Sequence, residues 1–323
     1  QRSIALAMRK KILFLDSNHP SMLEILRGAG FDCDEDYTSS REEICAKLYA
    51  YHGVVIRSRF KLDKSFLDAG TQLKCIGRAG AGMENIAVHY AESKGIRCVQ
   101  APEGNRVAVA EHALGMLLSL MNNFRQADNE VREGVWLREE NRGVELTGKT
   151  VAIIGYGNMG SAFAKVLQGF DVRILAFDKY KNNFAHDNVE ESTMSMIFSH
   201  ADVLSLHVPL TDETRNLVDD TFLNQFAKPI WLLNTSRGQV VKTDSLLKAL
   251  KSGKVIGAGL DVLEYESTSF EKLSVDELPH AFQELRKSDR VLFSPHVAGW
   301  TNESHRKIAE VLARKMIEVL SAD

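Results

Sequence analysis

The stretch Val151-Ala-Ile-Ile-Gly155-Tyr-Gly157-Asn-Met-Gly160 decides the fold of this chain. A short run of apolar residues leads directly into the pattern G-x-G-x-x-G, and a helical sequence, SAFAKVLQGF, follows it. In this context Gly155 permits a tight turn, Gly157 lets the backbone approach a pyrophosphate, and Gly160 lets helix and strand pack closely. The helix N-terminus adds N–H groups and a positive dipole end. The stretch therefore predicts a dinucleotide-binding strand, turn and helix.

The next strand-like segment, RILAFD, ends at Asp178, eighteen residues after Gly160. A carboxylate at this place can accept hydrogen bonds from the ribose hydroxyls and repels a 2′-phosphate. The position of Asp178 therefore favours NAD over NADP as the cofactor. The alternative interpretation is a glycine-rich structural turn followed by a solvated aspartate.

A second glycine-rich turn, Gly80-Ala81-Gly82, follows the strand-like segment LKCIGR. No third glycine and no suitably spaced acidic strand end accompany it, so we predict no second nucleotide site. Backbone N–H groups in such a turn can hold a substrate carboxylate. A turn without any ligand is the competing interpretation.

Strand-like runs alternate with amphipathic helical segments on both sides of the dinucleotide motif, which predicts an α/β protein with parallel sheets. The expected strands lie at residues 11–16, 31–33, 53–58, 73–80, 95–101, 150–155, 173–178, 202–209, 229–236, 254–262 and 290–296. Apolar residues at helical spacing predict a long linking helix over 105–124 and a final helix over 303–320.

A chain of 323 residues is long enough for two domains at roughly 150 residues each. Because the final helix can return to the first set of strands, we predict a discontinuous substrate-binding domain of residues 8–104 and 298–323. Residues 105–297 then form the dinucleotide-binding domain. Residues 1–7 lack the apolar region of a signal peptide and are interpreted as an extension added for expression.

Composition and charge exclude several classes of protein. A hydrophobic content of 44% and a charged content of 26% are typical of a globular protein. Forty basic and 43 acidic residues leave a net charge of −3, which argues against nucleic-acid binding. Cys33, Cys45, Cys75 and Cys98 form no C-x-x-C pair, so we expect reduced thiols of a cytoplasmic protein and no metal site. The densest apolar run, 113–121, is about half a membrane span, so no membrane association is expected.

Three polar residues stand at the ends of predicted strands, where open α/β sheets bind ligands. Arg237 can hold a substrate carboxylate with its forked donors. His296, in the sequence Ser-Pro-His-Val-Ala-Gly, can exchange a proton near neutral pH. Glu266 can hydrogen-bond this imidazole and stabilise its protonated form, but Glu264 competes for that role by spacing alone.

Taken in order, the motifs G-x-G-x-x-G, strand-terminal Asp, N-T-S-R-G, G-L-D-V-x-x-x-E and S-P-H-V-A-G-W resemble those of the D-isomer-specific 2-hydroxyacid dehydrogenases. The resemblance covers residues 11–320. It implies a discontinuous flavodoxin-like substrate domain with an inserted NAD-binding Rossmann domain, and it makes Arg237, Glu266 and His296 the catalytic set. By the same resemblance the NAD site is expected to comprise Gly155, Gly157, Asn158, Met159, Gly160, Asp178, Val208, Pro209, Thr235, Ser236, Arg237, Asp261, His296, Ala298 and Gly299.

Within the family, four segments are most similar to the 3-phosphoglycerate dehydrogenases: 55–58, 77–82, 105–113 and 134–138. The similarity implies oxidation of 3-phospho-D-glycerate to 3-phosphooxypyruvate in serine biosynthesis. Arg57 and Arg78 suit a dianionic phosphate, unless they are surface or ion-paired charges. The substrate site is expected to comprise Arg57, Ser58, Arg78, Gly80, Ala81 and Gly82.

Three features depart from the family pattern. Ser267 follows Glu266 where proline is common, and the stretch up to His296 is about a dozen residues longer than usual, with an extra surface helix expected near 270–288. The usual R-S-x-T reads Arg57-Ser-Arg-Phe60, which weakens the substrate assignment. Separately, we expect no serine-binding regulatory domain after the final helix.

Two alternatives stay open at this point. Within the family, the chain can be a glyoxylate or hydroxypyruvate reductase or another D-2-hydroxyacid dehydrogenase. In another class, it can be an NAD-binding corepressor or scaffold, which would bind NAD without turnover. In either case the apolar helix at 105–124 and the arm up to residue 138 predict a homodimer.

Overall fold

A computed structural model describes residues 9–266 and 278–322 of the protein. The described residues form two compact units: residues 9–105 with 300–322, and those within 106–299. Both units are built on parallel sheets, as the sequence predicts.

The first unit contains a five-stranded parallel sheet in the order β2–β1–β3–β4–β5, the flavodoxin-like order. Its strands are β1 (Lys11–Phe14), β2 (Asp32–Glu35), β3 (Gly53–Ile56), β4 (Cys75–Arg78) and β5 (Arg97–Gln100). Its helices are α1 (Pro20–Gly28), α2 (Arg41–Lys47), α3 (Lys64–Ala69), α4 (Val88–Ser93) and α12 (Asn302–Ser321).

Helix α12 returns to this first sheet. It begins with a capping box, in which Thr301 and Ser304 satisfy each other's backbone N–H groups. Its buried Leu312, Met316 and Leu320 pack in one apolar layer with residues of β1, β3 and α1. Because four-residue spacing places these side chains on one face, the helix covers the sheet along its length.

The second unit contains a seven-stranded parallel sheet in the order β12–β11–β10–β9–β6–β7–β8. Its strands are β6 (Thr150–Ile154), β7 (Arg173–Phe177), β8 (Val189–Glu191), β9 (Val203–Leu206), β10 (Ile230–Asn234), β11 (Val255–Leu260) and β12 (Val291–Phe293). Its helices are α6 (Phe124–Arg132), α7 (Asn158–Val166), α8 (Met194–His200), α9 (Asp220–Asn224), α10 (Thr243–Ser252) and α11 (His280–Leu285), together with most of α5 (Pro102–Met121).

Two helical regions differ from the sequence expectation. The linking helix begins earlier and ends earlier than predicted, because Asn123 adopts a left-handed conformation and α6 begins after it. The sequence predicts a surface helix near 270–288. Within the described residues this region contains only the short α11, and its Phe282 and Leu285 are buried rather than exposed. Residues 267–277, with Ser267, lie outside the described part of the chain.

The four cysteines carry no disulfide in the described residues. Burial raises the pKa of the Cys75 thiol to about 12, so this sulfur stays protonated and unreactive at neutral pH. Among the helices that the structure describes, none combines the length and the apolar character needed to cross a membrane.

Candidate active site

The dinucleotide motif lies at the point where the order of the second sheet reverses. Strand β6 has β9 on one side and β7 on the other, so the connections leave β6 and β9 in opposite directions. In such sheets a crevice opens at the carboxyl ends of the two strands. The Gly155–Gly160 turn follows β6, and Val208 and Pro209 follow β9.

Two of the three glycines of the motif lie where a side chain would clash with the backbone. Gly155 has φ +91°, and a Cβ there would lie 2.4 Å from the carbonyl oxygen of His207. A Cβ on Gly160 would lie 2.0 Å from the carbonyl oxygen of Gly155. Gly157, in contrast, precedes α7 with nothing within 4 Å of its Cβ position. The turn is therefore packed on its inner side and open where Asn158 and Met159 begin the helix.

Asp178 ties the motif to the end of β7. Its Oδ2 accepts the backbone N–H of Tyr156 at 2.8 Å, and its Oδ1 accepts those of Tyr180 and Lys181 at 2.9 and 3.0 Å. These contacts hold the carboxylate beside the glycine turn, where the sequence predicts the ribose site.

Buried polar atoms nearby lack partners within the described residues. In this part of the described chain, the two atoms without a hydrogen-bond partner are Thr235 Oγ1 and His207 Nδ1. The neighbouring Ser236 hydroxyl, in contrast, donates to Asn234 Oδ1 at 2.8 Å. Burial lowers the pKa of His207 to about 4, so its imidazole is neutral at physiological pH. Buried polar groups normally have a partner. The lone Thr235 hydroxyl and the open helix start fit a bound dinucleotide.

His296 pairs with Glu266. The imidazole Nδ1 lies 3.2 Å from both carboxylate oxygens, and the two side chains are 28% and 22% exposed. His296 itself has φ +55°, a conformation that is unfavourable for a residue with a Cβ.

Glu264, the alternative partner for the imidazole by sequence spacing, binds elsewhere. Its Oε2 accepts the backbone N–H of Thr243 at 2.8 Å and so caps the first turn of α10. Sequence spacing alone did not separate the two glutamates, and the geometry assigns the imidazole contact to Glu266.

Arg237 follows β10, as Glu266 follows β11 and His296 follows β12. These three strands are consecutive neighbours in the parallel sheet, so their carboxyl ends meet at one edge. The next residue, Gly238, lets the loop from β11 lie against it, because a Cβ there would fall 1.8 Å from the Leu263 carbonyl oxygen. Arg237 Nη1 donates to the Ser236 carbonyl at 2.7 Å.

Asp261 lies at the end of β11 and is 1% exposed. Its carboxylate accepts the backbone N–H groups of Val297 and Ala298 at 2.9 Å each, in the loop that continues to Gly299. Although the sequence assigns Asp261 to the cofactor, these contacts show a role in holding the His296 loop. Its contact with the cofactor stays a prediction.

The predicted substrate residues of the first unit lie at the ends of two neighbouring parallel strands. Arg57 and Ser58 follow β3, and Arg78 ends β4, with Ile56 opposite Arg78 in the register. The Asp16 carboxylate accepts the backbone N–H groups of Arg57 and Ser58 at 2.6 and 3.1 Å, which fixes this loop.

Gly80, Ala81 and Gly82 form the turn directly after β4. A Cβ on Gly80 would lie 1.7 Å from Arg78 Nη1, so the turn leaves room for the guanidinium.

Two further residues, which the sequence did not single out, shape the surroundings of Arg57. Its guanidinium lies over the Trp300 ring, 5.1 Å from the centroid, a cation–π contact that restrains it. Arg59, by contrast, donates to the carbonyls of Leu15 and Asp36 at 3.1 and 2.6 Å. Arg59, at the variable position of R-S-x-T, thus braces the loop, and the departure from the pattern is Phe60 in place of threonine.

Comparisons with known proteins agree with this architecture. Residues 114–298 match the family model "D-isomer specific 2-hydroxyacid dehydrogenase, NAD binding domain". A D-lactate dehydrogenase structure from Aquifex aeolicus, complexed with NAD and lactic acid, superposes with a TM-score of 0.82 at 25% identity and covers 97% of this chain and 96% of its own. Because the matched family model is an NAD-binding domain, the cofactor is NAD, which the residues at the turn fit.

Curated relatives carry several activities. The D-3-phosphoglycerate dehydrogenase of Archaeoglobus fulgidus is 32% identical over 96% of this chain and 57% of its own length. The glyoxylate reductase of Thermofilum pendens is 34% identical over 90% of this chain and 84% of its own. The chain spans about half the length of the phosphoglycerate dehydrogenases first matched, 57% and 54%. By family model and by relatives, this chain belongs to the D-isomer-specific 2-hydroxyacid dehydrogenases.

Proposed function

We propose that the protein oxidises 3-phospho-D-glycerate at C2 to 3-phosphooxypyruvate, with NAD as the hydride acceptor, in serine biosynthesis in the cytoplasm. The pair Arg57 and Arg78 carries this proposal, because two guanidiniums at adjacent strand ends suit a dianionic phosphate. We retain residues 8–104 with 298–323 as the substrate domain and residues 105–297 as the NAD domain.

The chemistry rests on the three strand-end residues of the second sheet. Arg237 binds the carboxylate and orients the carbon–oxygen bond at C2. With Nδ1 committed to Glu266, the Nε2 of His296 takes the hydroxyl proton, and the imidazolium is stabilised by the adjacent carboxylate. Bound NAD supplies the acceptor for the C2 hydride. The alcohol thus loses one proton and one hydride and becomes the ketone.

A substrate panel tests the proposal. Reduction of NAD by the purified protein is measured with 3-phosphoglycerate, D-glycerate, D-lactate and 2-hydroxyglutarate, and NADH oxidation is measured with hydroxypyruvate and glyoxylate. The highest kcat/KM is expected with 3-phosphoglycerate. A preference for glyoxylate or hydroxypyruvate would instead establish the reductase activity, which the 34% identity to the Thermofilum pendens enzyme favours as the second candidate.

Glu266→Gln is expected to move the pH profile. Loss of the charge beside His296 disfavours the protonated imidazole. Oxidation needs the neutral imidazole, so the increase of its rate with pH should move to lower pH, and the decrease of keto-acid reduction should move the same way. Glu264→Gln is the matched control, since it removes a helix cap. If only the control moves the profile, Glu266 is not the partner.

Asp178→Asn is expected to relax the preference for NAD. The substitution keeps one of the two acceptor oxygens for the backbone N–H groups and removes the charge that repels a 2′-phosphate. A repulsion of about 1 kcal/mol predicts that the kcat/KM ratio of NAD to NADP falls about 5-fold. Asp212→Asn, at an exposed position, should leave the ratio unchanged. A parent enzyme that prefers NADP would contradict the assignment.

We propose a homodimer that is formed chiefly by the arm after α5. The predicted apolar face of α5 is largely used internally, since Ala110, Leu117 and Met121 are buried against the sheet. Residues 131–140 are all exposed, and Trp136 is 76% exposed. Burial of such apolar surface against a second copy is the expected reason.

Light scattering should give twice the chain mass of 36.1 kDa at micromolar concentration. Trp136→Glu should raise the dimer dissociation constant about 10-fold, because a large interface side chain is replaced by a charge. Tyr49→Glu, at a 58% exposed site of the first unit, serves as the control. A monomeric parent protein would exclude the dimer.

A further inference from the structure

The loop after β12 holds His296 in a conformation that its sequence does not favour. At φ +55° the Cβ crowds the following carbonyl, so a non-glycine residue stays there only when its surroundings fix it. Asp261 supplies much of that support. Its main-chain carbonyl accepts the His296 N–H at 2.8 Å, and its carboxylate accepts the N–H groups of Val297 and Ala298.

The Asp261 carboxylate is in turn oriented by a chain of side chains. The Ser294 hydroxyl lies 2.6 Å from Asp261 Oδ1, and a carboxylate accepts, so the hydroxyl donates its single proton there. His112 Nε2 lies 2.9 Å from the same hydroxyl oxygen. Because that oxygen has no second proton, the imidazole must donate to it. The hydrogen bonds therefore run in one direction, from His112 through Ser294 to Asp261.

We propose that His112 is a positioning residue for the acid–base histidine, and that it acts through Ser294 and Asp261 on the loop that carries His296. His112 lies on α5, far from His296 in sequence, and its Nε2 is 3.7 Å from Asp261 Oδ1. Asp261 is 1% exposed, so its carboxylate depends on these protein donors rather than on water. The catalytic consequence rests on the proposed function, whereas the orientation of His296 does not.

The variants His112→Leu and His112→Gln separate the hydrogen bond from the shape of the side chain. Glutamine places an amide donor near the position of Nε2, and leucine has none. We expect His112→Leu to lower kcat about 10-fold, with NADH affinity and keto-acid KM within about 2-fold of the parent values, and His112→Gln to restore most of kcat. His200→Leu, at a partly exposed histidine of the same unit, should leave kcat unchanged.

A double variant distinguishes positioning from general destabilisation. If His112 acts on His296, then His112→Leu should lower kcat no further once His296→Ala is present. A loss of kcat that is the same in both backgrounds would overturn the proposal. Equal losses in the leucine and glutamine variants would also overturn it.

A spectroscopic measurement keeps the proposal independent of turnover. In protein labelled with 13C at the histidine Cε1, the His296 ring signal is assigned by its absence in His296→Ala. His112→Leu should shift that signal by more than its linewidth, and His112→Gln and His200→Leu should not. An unshifted signal in His112→Leu overturns the positioning role even if the enzyme is active. A shifted signal in a protein that turns over none of the panel substrates supports the positioning role and contradicts the proposed function.

Discussion

Replacement of His296 by alanine is expected to lower kcat by about 10²- to 10⁴-fold, the scale for loss of a positioned acid–base group. The imidazole is the group that exchanges the substrate proton, and its Nδ1 is already held 3.2 Å from the Glu266 carboxylate. Without it, water must accept the proton, with no partner to stabilise the charge. Steady-state kinetics in both directions, with 3-phosphoglycerate and with a keto acid, measures the loss.

The affinity for NADH should stay nearly unchanged in the same variant. The glycine turn, Asp178 and Thr235 follow β6, β7 and β10 and do not depend on the imidazole. Fluorescence titration of NADH checks this, and His200→Ala is the control for a histidine outside the site. Equal kcat in the His296→Ala and parent enzymes would show that the proton is carried by another group.

The second sheet could be predicted from sequence because its signals are local. Strand β6 is buried along its whole length, and Cβ atoms on Gly155 and Gly160 of the turn after it would lie less than 2.5 Å from backbone atoms. Such a strand leaves a continuous apolar run, and such a turn admits only glycine. Strand β8 was missed because its three residues, Val189–Glu191, lie at the sheet edge and only the first is buried.

The site was predictable only in part, because partner choice depends on distant residues. The spacing after β11 placed two glutamates near the imidazole, and only the start of α10 shows that Glu264 is occupied elsewhere. Asp16 and Trp300 contact Arg57, and His112 lies 3.7 Å from the Asp261 carboxylate, each across a long sequence separation. No local sequence pattern predicts such contacts. The partners of a carboxylate, an imidazole or an indole are defined only by the folded structure.

A comparison of phosphorylated and unphosphorylated substrates tests whether Arg57 binds the substrate phosphate. Arg57→Ala is expected to raise the KM for 3-phosphoglycerate about 10- to 100-fold, since each charge-assisted hydrogen bond to a dianion contributes about 1.5–3 kcal/mol. The KM for D-glycerate should change little, because that substrate has a hydroxyl where the phosphate stands. The Trp300 ring holds the guanidinium 5.1 Å from its centroid, so its donors are already restrained before binding.

Two controls make the comparison of the two substrates decisive. Arg97→Ala removes an exposed guanidinium at the start of β5 and should change neither KM. Arg97 lies at the amino ends of the parallel strands, whereas Arg57 and Arg78 lie at their carboxyl ends. Thermal unfolding of Arg57→Ala should match the parent, since the loop is held by the Asp16 carboxylate through backbone N–H groups that the variant keeps. If both substrates lose affinity equally, Arg57 binds the common carboxylate. If the parent prefers D-glycerate or glyoxylate, the pair of arginines serves a monoanion, and the reductase activity replaces the phosphoglycerate assignment.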